Sequence, residues 1–493
     1  MASAYKTPGV YIEEIPKFPP SVAPVETAIP AFIGYTEKAQ QIVADDLLLR
    51  PTRIASLVDY EQFFGRPQLE EKIDVTATVT IVDGIVTEQK AVATLADADR
   101  SKHIMHYALQ MFFANGGGPC WIVSVAPYQA AFGAAPDEAK LHAGLDAVEK
   151  EDEPTLLVVP EAQSLKAIGD FKTLHDAALA QCAKLQDRFV IMDLHGDDIS
   201  MSKPKATDKL LDAVDNFRDK GIGKNNLKYG AVYAPNVETT LDFLFDDTKT
   251  DITITTTTIT TTVTPPTTVT VPAAAVKLDT LKETSNALYA LATAEIRGMA
   301  CTLPPSSAMA GIYAAVDGSR GVWKAPANVS VANVIAPTFQ FTNVEQDQMN
   351  VDVVGGKSVN AIRPFIGLGT LVWGARTLAG NDNEWRYINV RRFFIFVEES
   401  VKKATHQFVF EPNDANTWVK AQGMIENFLT TLWRQGALQG AKPEHAFYVA
   451  VGLGKTMTAL DILEGRMYIE IGMAAVRPAE FIILRFSHKM AES

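Results

Sequence analysis

Between residues 121 and 235, short apolar runs alternate with amphipathic stretches, and this pattern constrains the fold more than any other feature. The runs are Trp121-Ile122-Val123-Ser124-Val125, Thr155-Leu156-Leu157-Val158-Val159-Pro160, Phe189-Val190-Ile191-Met192 and Tyr229-Gly230-Ala231-Val232-Tyr233-Ala234-Pro235. Each is too short for a helix and too apolar for a solvated loop, so each reads as a buried strand. The stretches between them carry apolar residues at helical spacing, as at Ala139, Leu141, Leu145 and Val148, with further helices over 165–185 and 210–217. Strand and helix in alternation predict βαβ units around a mostly parallel sheet.

Two segments interrupt the alternation. Residues 75–82 and 85–87 are β-branched runs on either side of Asp83-Gly84, a pair suited to a tight hairpin turn with positive φ. Residues 250–270 hold 13 threonines in 21 positions around Pro265-Pro266. That composition suits an exposed two-stranded projection, the alternative being a disordered, mucin-like linker.

The remainder divides by charge. Residues 351–493 carry 16 basic and 14 acidic side chains, and the 45 basic and 58 acidic residues of the whole chain leave 29 and 44 for residues 1–350. The net charges are therefore +2 and −15, which predicts a break near residue 350. The expected organisation is an N-terminal arm (1–25), an outer α/β domain (26–350) with insertions near 65–100 and 245–275, an inner α+β domain (351–478) and a C-terminal strand (479–493). Within the inner domain, 391–400 reads as strand or helix and 417–434 as a helix. Residues 447–451, 466–473 and 481–486 read as strands.

Prolines 8, 16, 19, 20, 24 and 30 exclude a long helix from the first thirty residues. They isolate one β-forming run, Val10, Tyr11, Ile12, Glu13, Glu14 and Ile15, which has no sequence-local partner. It must pair with something distant or with another chain.

Tests for chemistry return little. The overall acidity argues against a nucleic-acid groove or an anionic membrane as partner. Three widely spaced cysteines, 120, 182 and 301, exclude a disulfide framework and point to a reducing compartment. The N-terminus lacks the apolar core of a secretory signal, and no stretch is long and apolar enough to span a bilayer. Gly452-Leu453-Gly454-Lys455-Thr456 imitates a phosphate-binding loop, but Val449 stands where the motif requires its first glycine. Asp193, His195, Asp197 and Asp198 have metal-ligand chemistry, yet the same residues make ordinary turns. His103 and His106 lack a neighbouring carboxylate motif. No acid–base pair or nucleophile emerges, and no cofactor is expected.

Several ordered motifs resemble the sheath proteins of contractile phage tails and, most closely, of extracellular contractile injection systems. They are Thr7-Pro8-Gly9-Val10-Tyr11-Ile12-Glu13-Glu14, Ala28-Ile29-Pro30-Ala31-Phe32-Ile33-Gly34, Val372-Trp373-Gly374-Ala375-Arg376-Thr377-Leu378, Tyr387-Ile388-Asn389-Val390-Arg391-Arg392, Phe410-Glu411-Pro412-Asn413 and the segment from Ile471 to Phe481. The resemblance covers residues 1–35 and 350–493 and leaves 65–100 and 245–275 unmatched.

It implies a non-enzymatic subunit of a helical homopolymer around an inner tube, with baseplate, terminator and sister sheath proteins as partners, assembled in the cytoplasm and released in a tail-like particle. The arm strands Val10–Ile15 and Phe481, Ile482, Ile483, Leu484, Arg485 and Phe486 would add to the sheets of neighbouring subunits. Lys420, Glu426 and Arg434 are candidates for facing the tube. Arg376, Arg391 and Arg392 are candidates for salt bridges between subunits. A soluble nucleotide-binding enzyme and a static shell protein are the alternatives.

Overall fold

The computed structural model describes residues 22–96, 98–196, 207–272 and 274–484. These form two units. One spans Glu26–Ile395 and takes back residues 477–484. The other comprises Phe396–Val476 with residues 22–25.

The large unit is built on a nine-stranded sheet in the order Val329–Ser330, Gly369–Trp373, Asn360–Phe365, Gly230–Ala234, Phe189–Asp193, Leu156–Val158, Pro30–Thr36, Cys120–Pro127 and Thr52–Ile54. The six strands from Asn360–Phe365 to Cys120–Pro127 run parallel, as the alternating pattern requires. Antiparallel strands close both edges. The four runs read from the sequence are all strands, and the segment Ala28–Gly34 supplies a fifth, internal one: every residue of Pro30–Thr36 is buried. Helices cover the sheet because their apolar stripes match its faces. Helix Ile168–Leu185, for example, buries Phe171, Leu174, Ala178, Leu179 and Cys182.

Asn360–Phe365 and Gly369–Trp373 belong to this sheet, so the units divide at 395/396 and not near residue 350. Charge balance follows solvent exposure and does not report which strands pair. Residues 391–400 lie inside the helix Ile388–Thr405.

The two interruptions are one structure. Asp74–Val82 and Ile85–Thr94 form the expected hairpin, with Asp83 at φ 49° and Gly84 at φ 85° giving the turn its left-handed pair. Asp251–Thr260 and Thr267–Pro272 form the threonine hairpin. The first strand of each then pairs in parallel over nine residues, aligning Thr76 with Thr253, Thr78 with Thr255 and Thr80 with Thr257. One face of this sheet packs Val75, Ala77, Val79 and Ile252 against Leu288, Ala292 and Ile296 of helix Asn286–Arg297. The threonine-rich segment is thus held by a hydrophobic core of its own and is not a linker.

The small unit contains the helix Ala415–Arg434 and the antiparallel pair Phe447–Val451 and Ile469–Met473. The helix packs on the pair with Thr417, Ala421, Met424, Ile425, Phe428, Leu429 and Leu432 buried. A two-stranded sheet buries too little by itself to be stable and depends on what covers it.

Candidate functional site

The features that bear on function are the points where the chain enters and leaves the large unit. At the entry, Thr27 donates its hydroxyl to Asp317 at 2.6 Å. Arg392 donates from both terminal nitrogens to the same carboxylate, at 3.0 and 2.5 Å, and to the Thr27 carbonyl at 3.2 Å. Its guanidinium also lies 4.5 Å from the Tyr313 ring. Both charged side chains are almost fully buried, at 4% and 6% exposure. The helix Ser306–Arg320 presents Asp317, and the helix Ile388–Thr405 presents Arg392.

At the exit, Arg376 grips Glu480 through Nε and Nη2, at 2.9 and 2.7 Å. Asn350 and Tyr387 donate to the same carboxylate, at 2.8 and 3.1 Å. Burial pushes the Glu480 carboxyl up, but the hydrogen bonds from Arg376 and Asn350 outweigh it and hold the group below the ordinary glutamate value. Immediately beyond this clamp Phe481, Ile482, Ile483 and Leu484 are 69%, 79%, 77% and 73% exposed and belong to no strand. Four consecutive apolar residues in that state have no counterpart to cover them within the described chain.

Arg376, Arg391 and Arg392 therefore do not reach outward. Arg376 and Arg392 spend their charge on carboxylates of the same chain, and Arg391 stacks 4.8 Å from Tyr229 and 4.7 Å from Trp385. The acidic partners Glu480 and Asp317 lie 104 and 75 residues away in sequence, which is why spacing did not reveal them. Lys420 and Arg434 are exposed and Glu426 is half-buried on the open side of helix Ala415–Arg434, where Glu426 accepts a bond from Gln422. Val10–Ile15, Arg485 and Phe486 lie outside the described residues.

The remaining chemical candidates are absorbed by the fold. In the loop after Phe447–Val451, the N–H groups of Lys455, Thr456 and Met457 all point to the Gly452 carbonyl, and that of Gly454 to the Met457 carbonyl. A phosphate cradle needs those donors facing outward. Lys455→Ala is expected to leave the unfolding free energy within about 0.5 kcal/mol of wild type, as an exposed surface change does. Calorimetry with ATP should give no binding signal in either protein.

Asp193, expected near a metal, accepts the Ser306 N–H at 2.8 Å and so caps the start of helix Ser306–Arg320. His195 bonds the Leu165 carbonyl, and Asp197 and Asp198 lie outside the described residues. Among the described residues no cluster of three metal-ligating side chains forms. Burial pushes the Asp193 carboxyl up to about 7. A raised carboxyl pKa adds stability below its unfolded value and loses it as pH rises through 7. Asp193→Asn is therefore expected to be neutral at pH 4 and stabilising by upward of about 1 kcal/mol at pH 8 in urea unfolding.

Comparison with known proteins accounts for this architecture. Residues 380–489 match the family described as phage tail sheath C-terminal domain. A 144-residue stretch is 29% identical to the tail sheath protein of Burkholderia phage BcepMu, covering 28% of this chain and 30% of that relative's length. The helical sheath of the anti-feeding prophage in its contracted state aligns over 99% of this chain and 100% of its own, at 31% identity and a TM-score of 0.60. The chain belongs to the contractile sheath family. The sheath of the extracellular contractile injection system PVC, also contracted, aligns over 99% of both chains at 28% identity and a TM-score of 0.61. This sheath protein is accordingly a subunit of a contractile injection system, from a family whose role is structural. Among its described residues no helix is long and apolar enough to cross a membrane.

Proposed function

We propose that this sheath subunit polymerises as a helix around an inner tube and exchanges terminal strands with its neighbours. Its contraction from a metastable extended state then drives the tube through a target envelope. The observation that carries this reading is the exposed run Phe481–Leu484 emerging from the Glu480 clamp. The sheet Phe447–Val451/Ile469–Met473 pairs with no third strand among the described residues and is a natural acceptor. Burying four such side chains in a neighbour contributes on the order of 5 kcal/mol before ordering costs. Increments of that size, repeated along a polymer, suffice for irreversible motion without nucleotide or catalysis.

In this reading the baseplate, a terminator and sister sheath proteins are the further partners. The subunit assembles in the cytoplasm and acts in a released particle. Lys420, Glu426 and Arg434 face the tube.

Removing residues 481–493 keeps Glu480 and its clamp. The shortened chain is expected to stay folded and soluble but to form no sheath when expressed with tube and baseplate, by sedimentation and negative-stain microscopy. Removing residues 1–20 should do the same. Normal contractile sheaths from either truncation would overturn strand exchange.

A further inference from the structure

At the carboxyl ends of strands Pro30–Thr36, Cys120–Pro127 and Leu156–Val158, where the sheet reverses its winding, lies a buried polar cluster that the sheath reading does not use. Doubly wound sheets place functional groups at this point. His103 is 3% exposed and Glu161 is fully buried. The His103 ring sits between Tyr35 and Tyr128, with centroid separations of 4.6 and 5.3 Å. Its Nε2 accepts the Gln129 N–H at 3.1 Å, so the neutral ring carries its proton on Nδ1. Nδ1 has no hydrogen-bond partner. It lies 3.7 Å from Glu161 Oε1, which has none either, while Oε2 accepts the Tyr35 N–H. Two buried, unpaired polar atoms thus face each other across a gap that a small ring movement would close.

We propose that His103 is a proton-operated latch for segment 128–136. The neutral ring holds this segment through Gln129. When a solvent proton binds Nε2, that nitrogen becomes a donor facing another donor, and the Gln129 bond is lost. The ring then turns toward Glu161, gaining an Nδ1–H···Oε1 bond to the carboxylate. The segment keeps its end contacts, Tyr128 N–H to the Thr36 carbonyl and Asp137 N–H to the Tyr35 hydroxyl, and the Gln68 side chain's bond to the Gln129 carbonyl, and opens from Gln129 N–H onward.

The groups facing the ring are Tyr35, Tyr128 and Glu161. Glu37 acts on Tyr60 and Tyr128 behind them, and Arg66 acts on the second histidine of the cluster. That histidine, His106, bonds Glu61 at 2.9 Å and Gln110 at 2.9 Å, so its position is satisfied at both nitrogens.

Hydrogen–deuterium exchange of the full chain, corrected for intrinsic rates, tests the latch at pH 8 and at pH 5. Peptides covering 128–136 are expected to lose about tenfold protection at pH 5 while those covering 30–36 do not change. His103→Gln should abolish the pH response, His106→Gln should keep it, and Glu161→Gln should give a smaller loss than wild type. A flat wild-type response, or a full response in His103→Gln, overturns the proposal. Should His103→Gln fail to fold, imidazole nitrogen NMR of the wild type decides, because an Nε2–H tautomer at pH 8 contradicts the latch directly.

Discussion

Asp317→Ala is expected to destabilise the large unit by about 3–5 kcal/mol, the cost of stranding one partner of a buried ion pair. The carboxylate receives two bonds from Arg392 and one from Thr27, and both charged side chains are nearly inaccessible to water. Without it the guanidinium stays buried with the Thr27 carbonyl and the Tyr313 ring as its neighbours, neither of which carries a compensating charge. A domain has only about 5–15 kcal/mol in total, so the loss is a large share. Urea unfolding followed by tryptophan fluorescence measures it. The double replacement Asp317→Leu with Arg392→Met removes both charges and should recover most of the loss, because two apolar groups of similar size carry no unpaired charge. A single replacement that costs under about 1 kcal/mol would assign the pair the small worth of a surface bridge.

Those arginines also mark where sequence reasoning stops. The parallel core was legible because apolar runs at 121–125, 155–160, 189–192 and 229–235 cannot be anything but buried strands in a chain of this composition. The hairpin turn was legible because Asp83-Gly84 has few other conformations open to it. Pro30–Thr36 was harder: the sequence pattern assigned it no strand, and only pairing with Trp121–Val123 and Leu156–Val158 makes it an internal one. The joining of two insertions whose paired residues are 177 apart, as in Asp74 with Asp251, left no local trace, since parallel pairing of β-branched strands has no turn to announce it. Apolar content could not decide between strand and helix for 391–400. Spacing favoured neither, and the structure places the segment inside the helix Ile388–Thr405. Arg376 and Arg392 were candidates for ion pairs either across subunits or within the chain. Spacing could not choose between the two, because a carboxylate 75 or 104 residues away is as invisible to it as one in another subunit. The C-terminal arm is half legible: Phe481–Leu484 reads as a strand former, yet among the described residues it joins no strand.

Glu480→Ala should separate folding from assembly more sharply than any other single change. Glu480 is the last anchored residue before the exposed run, and four donors from Arg376, Asn350 and Tyr387 converge on it. Removing the carboxylate leaves Arg376, itself 4% exposed, buried without its counter-charge, and is expected to cost about 3 kcal/mol. Its pH dependence has a definite sign. The folded carboxyl lies below its ordinary value, so its stabilisation is present above the unfolded glutamate pKa and fades as pH falls through the lower, folded one. The wild-type advantage over Glu480→Ala should therefore be full at pH 7 and shrink in acid. Assembly responds differently. With the clamp gone, residues 477–484 are released from the large unit, and an arm whose root can swing must be ordered each time it finds a neighbour. Sheath formation should thus fail, or need a much higher subunit concentration, at temperatures where the monomer is still folded by circular dichroism. Glu480→Gln keeps the shape and hydrogen-bonding capacity but not the charge, and should fall between the two. If Glu480→Ala assembles at wild-type concentration while losing the expected stability, the clamp serves the fold alone and the arm needs no fixed root.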